Sequence, residues 1–182
     1  MTSPRDRFLI ALDLFSAEAR AAADGLGRRS ACSGWTIGDV VRHVTGVQRE
    51  HAGVALLQEE EAAPSAPVDE TEALDAWELL SAELRSAAVD AEDDAFGELA
   101  MPTLDLALHA WDIRWGTIGN GLGRNLEFPR ALLEWMEEFR WHANEASVRG
   151  PGIFAAAVVP PDGATASERL AAWAGRDPRV AA

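Results

Sequence analysis

Residues 102–115 read PTLDLALHAWDIRW, and this stretch decides the fold because it predicts a helix with apolar residues on nearly every side. Such a helix is buried, so we place it at the centre of an all-α domain. Pro102 suits its first turn, and the glycines of GTIGNGLG, residues 116–123, end it.

The polar residues of this central helix form one line along it. Asp105, His109, Asp112 and Gly116 stand at i, i+4, i+7 and i+11, so they share a face. A carboxylate and an imidazole four residues apart point the same way and can bind one ion together. The central helix therefore predicts half of a metal site.

A second helix supplies the other half. Thr36 precedes IGDVVRHV, with Asp39 three residues on, and this capping-box pattern starts a helix that runs to about Gln58. His43 lies among the residues that mark the core-facing side of this helix, which are Val40, Val41, Val44 and Val47. Its imidazole is therefore expected to point inward.

Together His43, Asp105 and His109 would give a divalent ion three protein ligands and leave positions for water or substrate, as catalytic zinc sites do. Cys32 is the only cysteine, so an internal disulfide and a cysteine-based zinc site are excluded. From the spacing alone two other interpretations stay open: hydrogen-bonded core histidines, or a structural ion pair between Asp105 and His109.

Two nearby residues have alternative roles. Asp112 either accepts a hydrogen bond from His109 and fixes its tautomer, or pairs with Arg114 or Arg140 at the helix surface. Cys32 lies just before the second helix, where a helix N-terminus could lower its pKa, although we favour a small buried hydrophobe.

Further residues are candidates for the lining of a pocket. Trp35 and Trp111 are the tryptophans that we place nearest to it, and His51, about two turns beyond the first ligand, could line its mouth. Gly46 and Gly116 are expected on inward faces, where a glycine indicates close approach or room for a ligand.

Amphipathic patterns predict further helices around this centre, and Phe8, Leu12, Phe15 and Ala19 form the apolar stripe of the first. These helices cover about 4–24, 70–91, 129–146 and 165–175. The acidic, proline-containing residues 59–71 predict a solvated connection. Residues 150–164 predict an extended segment, with a short strand around FAAAVV left open.

The simplest architecture is a single domain over residues 1–182. We expect an antiparallel four-helix bundle over about 4–147, followed by a wrapped, extended tail with a short final helix over 148–182. An all-helical domain with apolar helix faces is also compatible with a homodimer.

The composition excludes several partners. The formal net charge of −14 would repel nucleic acid and anionic lipid. No apolar run has the roughly 18–20 residues of a membrane span, and no cleavage site follows the apolar start, so we expect a cytoplasmic protein.

Three motifs, CSGWTIGDVVRHVTG, LDLALHAWDI and ERLAAWAGRDP, make the sequence resemble the DinB/YfiT-like superfamily. It is most similar there to small metal-binding relatives of mycothiol-dependent maleylpyruvate isomerase. The resemblance implies a DinB-like bundle, a divalent ion, usually zinc, held by His43, Asp105 and His109, and mycothiol as a thiol cofactor. Asp105 stands where the isomerases have Glu, and Trp115 replaces a small residue.

The resemblance implies a metal-dependent thiol transferase or isomerase that acts on an electrophilic small molecule. The isomerases have a further C-terminal domain that helps to form the substrate pocket. The 182 residues leave no space for such a domain, so we do not expect maleylpyruvate isomerase activity itself. A non-catalytic metal- or small-molecule-binding protein is the alternative. Two histidines and a carboxylate also suit Fe²⁺, and Ni²⁺ or Mn²⁺ stay open.

Overall fold

The computed structural model describes residues 2–58, 70–118, 124–149 and 153–179, and within these ranges the chain is helical and contains no strand. Its α-helices are α1 Pro4–Ala21, α2 Ile37–Gln48, α3 Glu70–Asp90, α4 Ala100–Ile118, α5 Arg130–His142, α6 Glu145–Val148 and α7 Ala166–Trp173. Most of the predicted connection over 59–71 and the glycine-rich residues 119–123 and 150–152 lie outside the described residues. None of the described helices is long and apolar enough to cross a membrane.

The core lies between four helices, with α1 and α2 each packed against both α3 and α4. The predicted stripe of α1 is fully buried, and so are Trp77, Leu80 and Leu84 of α3. Helix α4 is buried along most of its length, including Leu106, Trp111 and Ile113. The prediction that this helix is central is therefore confirmed.

The helix that carries His43 changes type after Gln48. The α-helical part has the predicted capping box, and a π-helix then continues over Arg49–Leu57. Gln58 follows with φ 56°, a left-handed conformation that ends the helix. The predicted length of the helix is confirmed, and the change to a π-helix was not predicted, because apolar spacing does not report which carbonyl accepts each N–H.

The C-terminal half is more broken than the pattern predicts. The helix predicted over 129–146 is divided in two, because α5 ends at His142 and the short helix α6 follows it. The side chain of Asn144 caps α6 by accepting a hydrogen bond from the backbone N–H of Ala146. Residues 155–160 are neither helix nor strand, and the isolated bridge between Arg149 and Phe154 lies just before them, so the open strand is not formed in this described segment.

Gly116 and Gly46, both expected on inward faces, differ in the space around them. A Cβ on Gly116 would lie 2.3 Å from the carbonyl oxygen of Arg29, so only glycine lets the loop before α2 lie against α4. Gly46 is exposed, with nothing within 4 Å of a Cβ. The expectation was right for Gly116 and wrong for Gly46, because Gly46 lies on the solvent side of α2.

These two positions give a matched pair of alanine substitutions. Gly116→Ala should destabilise the protein by about 1–3 kcal/mol, because a backbone carbonyl cannot move aside cheaply. Gly46→Ala should stabilise it by about 0.5–1 kcal/mol, because alanine is the better helix residue in open space. Urea unfolding of both variants checks this, and a Gly116→Ala protein as stable as the wild type would contradict the close approach.

Candidate metal centre

The structure brings His43 of α2 together with Asp105 and His109 of α4. Oδ1 of Asp105 lies 3.3 Å from Nε2 of His43 and 3.3 Å from Nε2 of His109. The two imidazole centroids are 4.9 Å apart in an edge-to-face arrangement. One potential ligand atom from each residue therefore lies within 4.8 Å of the other two.

Local sequence places each part of this cluster. The capping box, in which Thr36 N donates to Asp39 Oδ2 and Asp39 N to Thr36 Oγ1, starts α2 two turns before His43. Gln48, at the end of α2, donates from Nε2 to the carbonyl of Pro102 in the first turn of α4, 2.9 Å away. The two helices are therefore tied together beside the cluster.

The arrangement fits a divalent ion on two grounds. A tetrahedral site with metal–ligand distances of about 2.0–2.1 Å has ligand atoms about 3.3–3.4 Å apart, which matches both separations around Asp105 Oδ1. The second carboxylate oxygen, Oδ2 of Asp105, is buried without a hydrogen-bond partner. A buried polar atom in that state calls for a partner, and a bound ion or an ordered water can supply it.

Trp35 forms one wall of this centre. Its ring stacks on His109 with an interplanar angle of 15° and a centroid distance of 6.1 Å, and it packs on His43 at 5.0 Å. Trp35 is 36% exposed, and the side chains of His43 and Asp105 are 33% and 22% exposed. The centre is therefore open to solvent on the side of α2 and the loop before it.

A second layer of polar groups lies behind His109. Oδ2 of the fully buried Asp112 lies 2.8 Å from Nδ1 of His109 and accepts from the thiol of Cys32 at 3.0 Å. Arg176 donates to the same carboxylate twice, from Nε at 3.1 Å and from Nη2 at 2.9 Å. Asp112 therefore holds the ring of His109 from the side opposite Asp105.

This layer corrects two expectations. Asp112 does not pair with Arg114 or Arg140, because these reach Glu18 and Glu137 instead. The thiol of Cys32 is not activated by the helix N-terminus, since burial and the charge of Asp112 raise its pKa. Cys32 is a hydrogen-bond donor in this layer rather than only a small apolar residue.

The charges of the two layers fix the protonation of the apo centre. Burial alone would raise the pKa of both aspartates, but His109 next to Asp105, and Arg176 next to Asp112, hold both values well below their usual range. Burial would lower the pKa of His109, but Asp105 and Asp112 outweigh it and raise that pKa well above the ordinary imidazole value. The two carboxylates on opposite sides of the ring therefore favour the protonated form of His109 in the absence of an ion.

Two further residues were predicted to line the pocket. Trp111 is fully buried in the core, and His51 is exposed on the π-helix. Sequence reasoning missed Arg176 as a partner of Asp112. The ERLAAWAGRDP motif was a signal at that position, but nothing in its spacing shows that the arginine reaches α4.

The fold and the centre define a class: an all-helical protein with two histidines and one aspartate that could hold a divalent ion. The family model of the mycothiol maleylpyruvate isomerase N-terminal domain matches residues 9–114, and the chain belongs to this DinB-like family. The matched residues include Trp35, all three candidate ligands and Asp112. No curated protein and no solved structure gives a significant match.

Proton release gives a test of the centre, with zinc as the probe ion. At neutral pH, zinc binding should release at least about one proton per ion, because a ligand nitrogen must be deprotonated and His109 is protonated in the apo protein. Calorimetry in buffers of different ionisation enthalpy measures this number. The release should fall as the pH rises through the raised pKa of His109.

The Asp112→Asn variant is the matched comparison. It removes one of the two carboxylates that raise the pKa of His109, so proton release should begin to fall at a lower pH than in the wild type. The same pH dependence in both proteins would show that Asp112 does not raise the pKa of His109.

Proposed function

We propose that this protein binds one zinc ion through His43, Asp105 and His109 and uses a mycothiol-type thiol in a transfer to, or isomerisation of, an electrophilic small molecule. The observation that carries the proposal is the carboxylate of Asp105, which has both imidazole Nε2 atoms 3.3 Å from one oxygen and no partner on the other. Membership of a family named for a mycothiol-dependent isomerase supports the choice of thiol.

The helix packing supports a DinB-like, antiparallel four-helix bundle as the scaffold. Helices α1 and α2 both contact α3 and α4, as expected when four helices enclose one core. In this arrangement the ligands come from the facing sides of α2 and α4, so the bundle itself sets the separation of His43 from the aspartate–histidine pair.

The residues around the centre have distinct roles in this proposal. A bound divalent ion supplies Lewis acidity and lowers the pKa of a coordinated thiol, which makes a nucleophile available at neutral pH. Asp112 accepts a hydrogen bond from Nδ1 of His109 and so directs Nε2 toward the ion. Trp35 offers an exposed apolar face beside the ligands, against which a small electrophile can be oriented.

The donor set also bears on the identity of the ion. Two imidazole nitrogens and a carboxylate suit zinc, and the same set holds Fe²⁺ in non-haem oxygenases, with Ni²⁺ and Mn²⁺ as further candidates. Elemental analysis of protein purified without added metal distinguishes these ions.

The test removes ligands one at a time. His43→Ala and Asp105→Asn should each weaken zinc binding by more than about 100-fold, because each deletes or neutralises a direct ligand. His142→Ala is the matched control, since this histidine is exposed at the end of α5. Zinc competition titrations measure the affinities, and wild-type affinity in both ligand variants would refute the assignment.

Activity is measured with mycothiol and a panel of electrophilic small molecules by following loss of the electrophile, which reports transfer or isomerisation, and loss of the thiol, which reports transfer only. Zinc-loaded protein should convert an electrophile, chelator-treated protein should not, and added zinc should restore the reaction. Full activity after metal removal would refute the thiol mechanism. A large increase in melting temperature on zinc binding, with no turnover of any electrophile, would favour the non-catalytic metal-binding alternative.

A further inference from the structure

Arg176, which donates to Asp112 behind the candidate ligand His109, lies in the C-terminal part of the chain. Arg176 lies just after α7, 64 residues beyond Asp112 and outside the residues that the family model matches. Only 9% of it is exposed, although arginine is rarely buried unless it is paired. Its buried guanidinium therefore requires a charged partner, and Asp112 is that partner.

The end of α7 is built to turn Arg176 inward. Gly175 has φ +88°, its N–H donates to the carbonyl of Ala172, and the N–H of Arg176 donates to that of Ala171. This is a Schellman motif, which reverses the chain at a helix end. A Cβ on Gly175 would lie 2.8 Å from Cβ of Ala155, so the extended segment before α7 packs directly on this turn.

Each nitrogen of the Arg176 guanidinium has a partner inside the protein. Besides the two bonds to Asp112, Nη1 donates to the carbonyl of Ala174 at 2.8 Å, and Nη2 lies 3.8 Å from the sulfur of Cys32. The ring of Phe154 lies 6.0 Å from the guanidinium carbon. The fork geometry of arginine matches a carboxylate in a way that lysine cannot.

We propose that the C-terminal segment from Phe154 to Arg176 is a clasp that positions the metal ligand His109 through Asp112, so that docking of this segment and metal binding strengthen each other. Arg176 orients the carboxylate of Asp112 through two hydrogen bonds, and Asp112 in turn accepts a hydrogen bond from Nδ1 of His109, which leaves Nε2 for the ion. Because the coupling is reciprocal, the ion must stabilise the docked segment as much as the segment favours the ion.

The inference rests on the proposed metal site and is tested with zinc alone. Arg176→Met should weaken zinc binding about 10–100-fold, the usual effect of losing a group that orients a ligand. The zinc affinity of Arg176→Lys should lie between those of Arg176→Met and the wild type, because lysine keeps the positive charge but cannot donate two parallel hydrogen bonds to the carboxylate.

The matched control is Arg114→Met. Arg114 also donates twice to a buried carboxylate, to Glu18 at 2.6 and 2.5 Å, but this pair does not touch the centre. Its loss should lower the melting temperature and leave zinc affinity within about twofold of the wild type. Equal zinc affinities in the Arg176→Met and Arg114→Met proteins would overturn the clasp.

Hydrogen exchange on the wild-type protein tests the same coupling if Arg176→Met does not fold. Zinc should slow exchange of the amides of Gly175 and Arg176 more than that of Ala143, which ends α5 with a comparable bond to Phe139. Equal slowing at both helix ends would overturn the inference. A wild-type protein that binds no zinc refutes the proposed function as well, whereas zinc binding without this difference refutes only the clasp.

Discussion

A fully buried carboxylate, that of Asp112, connects the parts of this protein that the chain keeps far apart. It receives hydrogen bonds from the loop before α2, from α4 and from the segment after α7, through Cys32, His109 and Arg176. An ionised carboxylate is costly to bury unless such partners compensate for the lost water. The loop and the C-terminal segment must therefore both be in place for the interior of α4 to be stable.

The candidate ligands could be predicted because they depend on helical phase. His43 faces inward because valines surround it on α2, and Asp105 and His109 share a face because four residues separate them. The central position of α4 was equally predictable from its apolar residues. In each case the information is local, within a few turns of one helix.

The remaining features depend on contacts that no local pattern records. Arg176 meets Asp112 only because a helix end turns the chain, and the pairing could not be distinguished in the sequence from one with Arg114 or Arg140. Gly46 and Gly116 looked alike because each interrupts a helix, yet only one lies against another backbone. The π-helix after Gln48 is set by hydrogen-bond register, which apolar spacing does not report.

Trp35 covers the rings of both candidate histidine ligands and is itself partly exposed to solvent. The backbone that carries it is held by the capping box of α2 on one side and by the contact of Arg29 with Gly116 on the other. A different residue at position 35 would therefore change which molecules can approach the histidines without moving the ligands. The choice of small molecule and the candidate metal centre can thus change separately during evolution, and protein engineering can use the same separation.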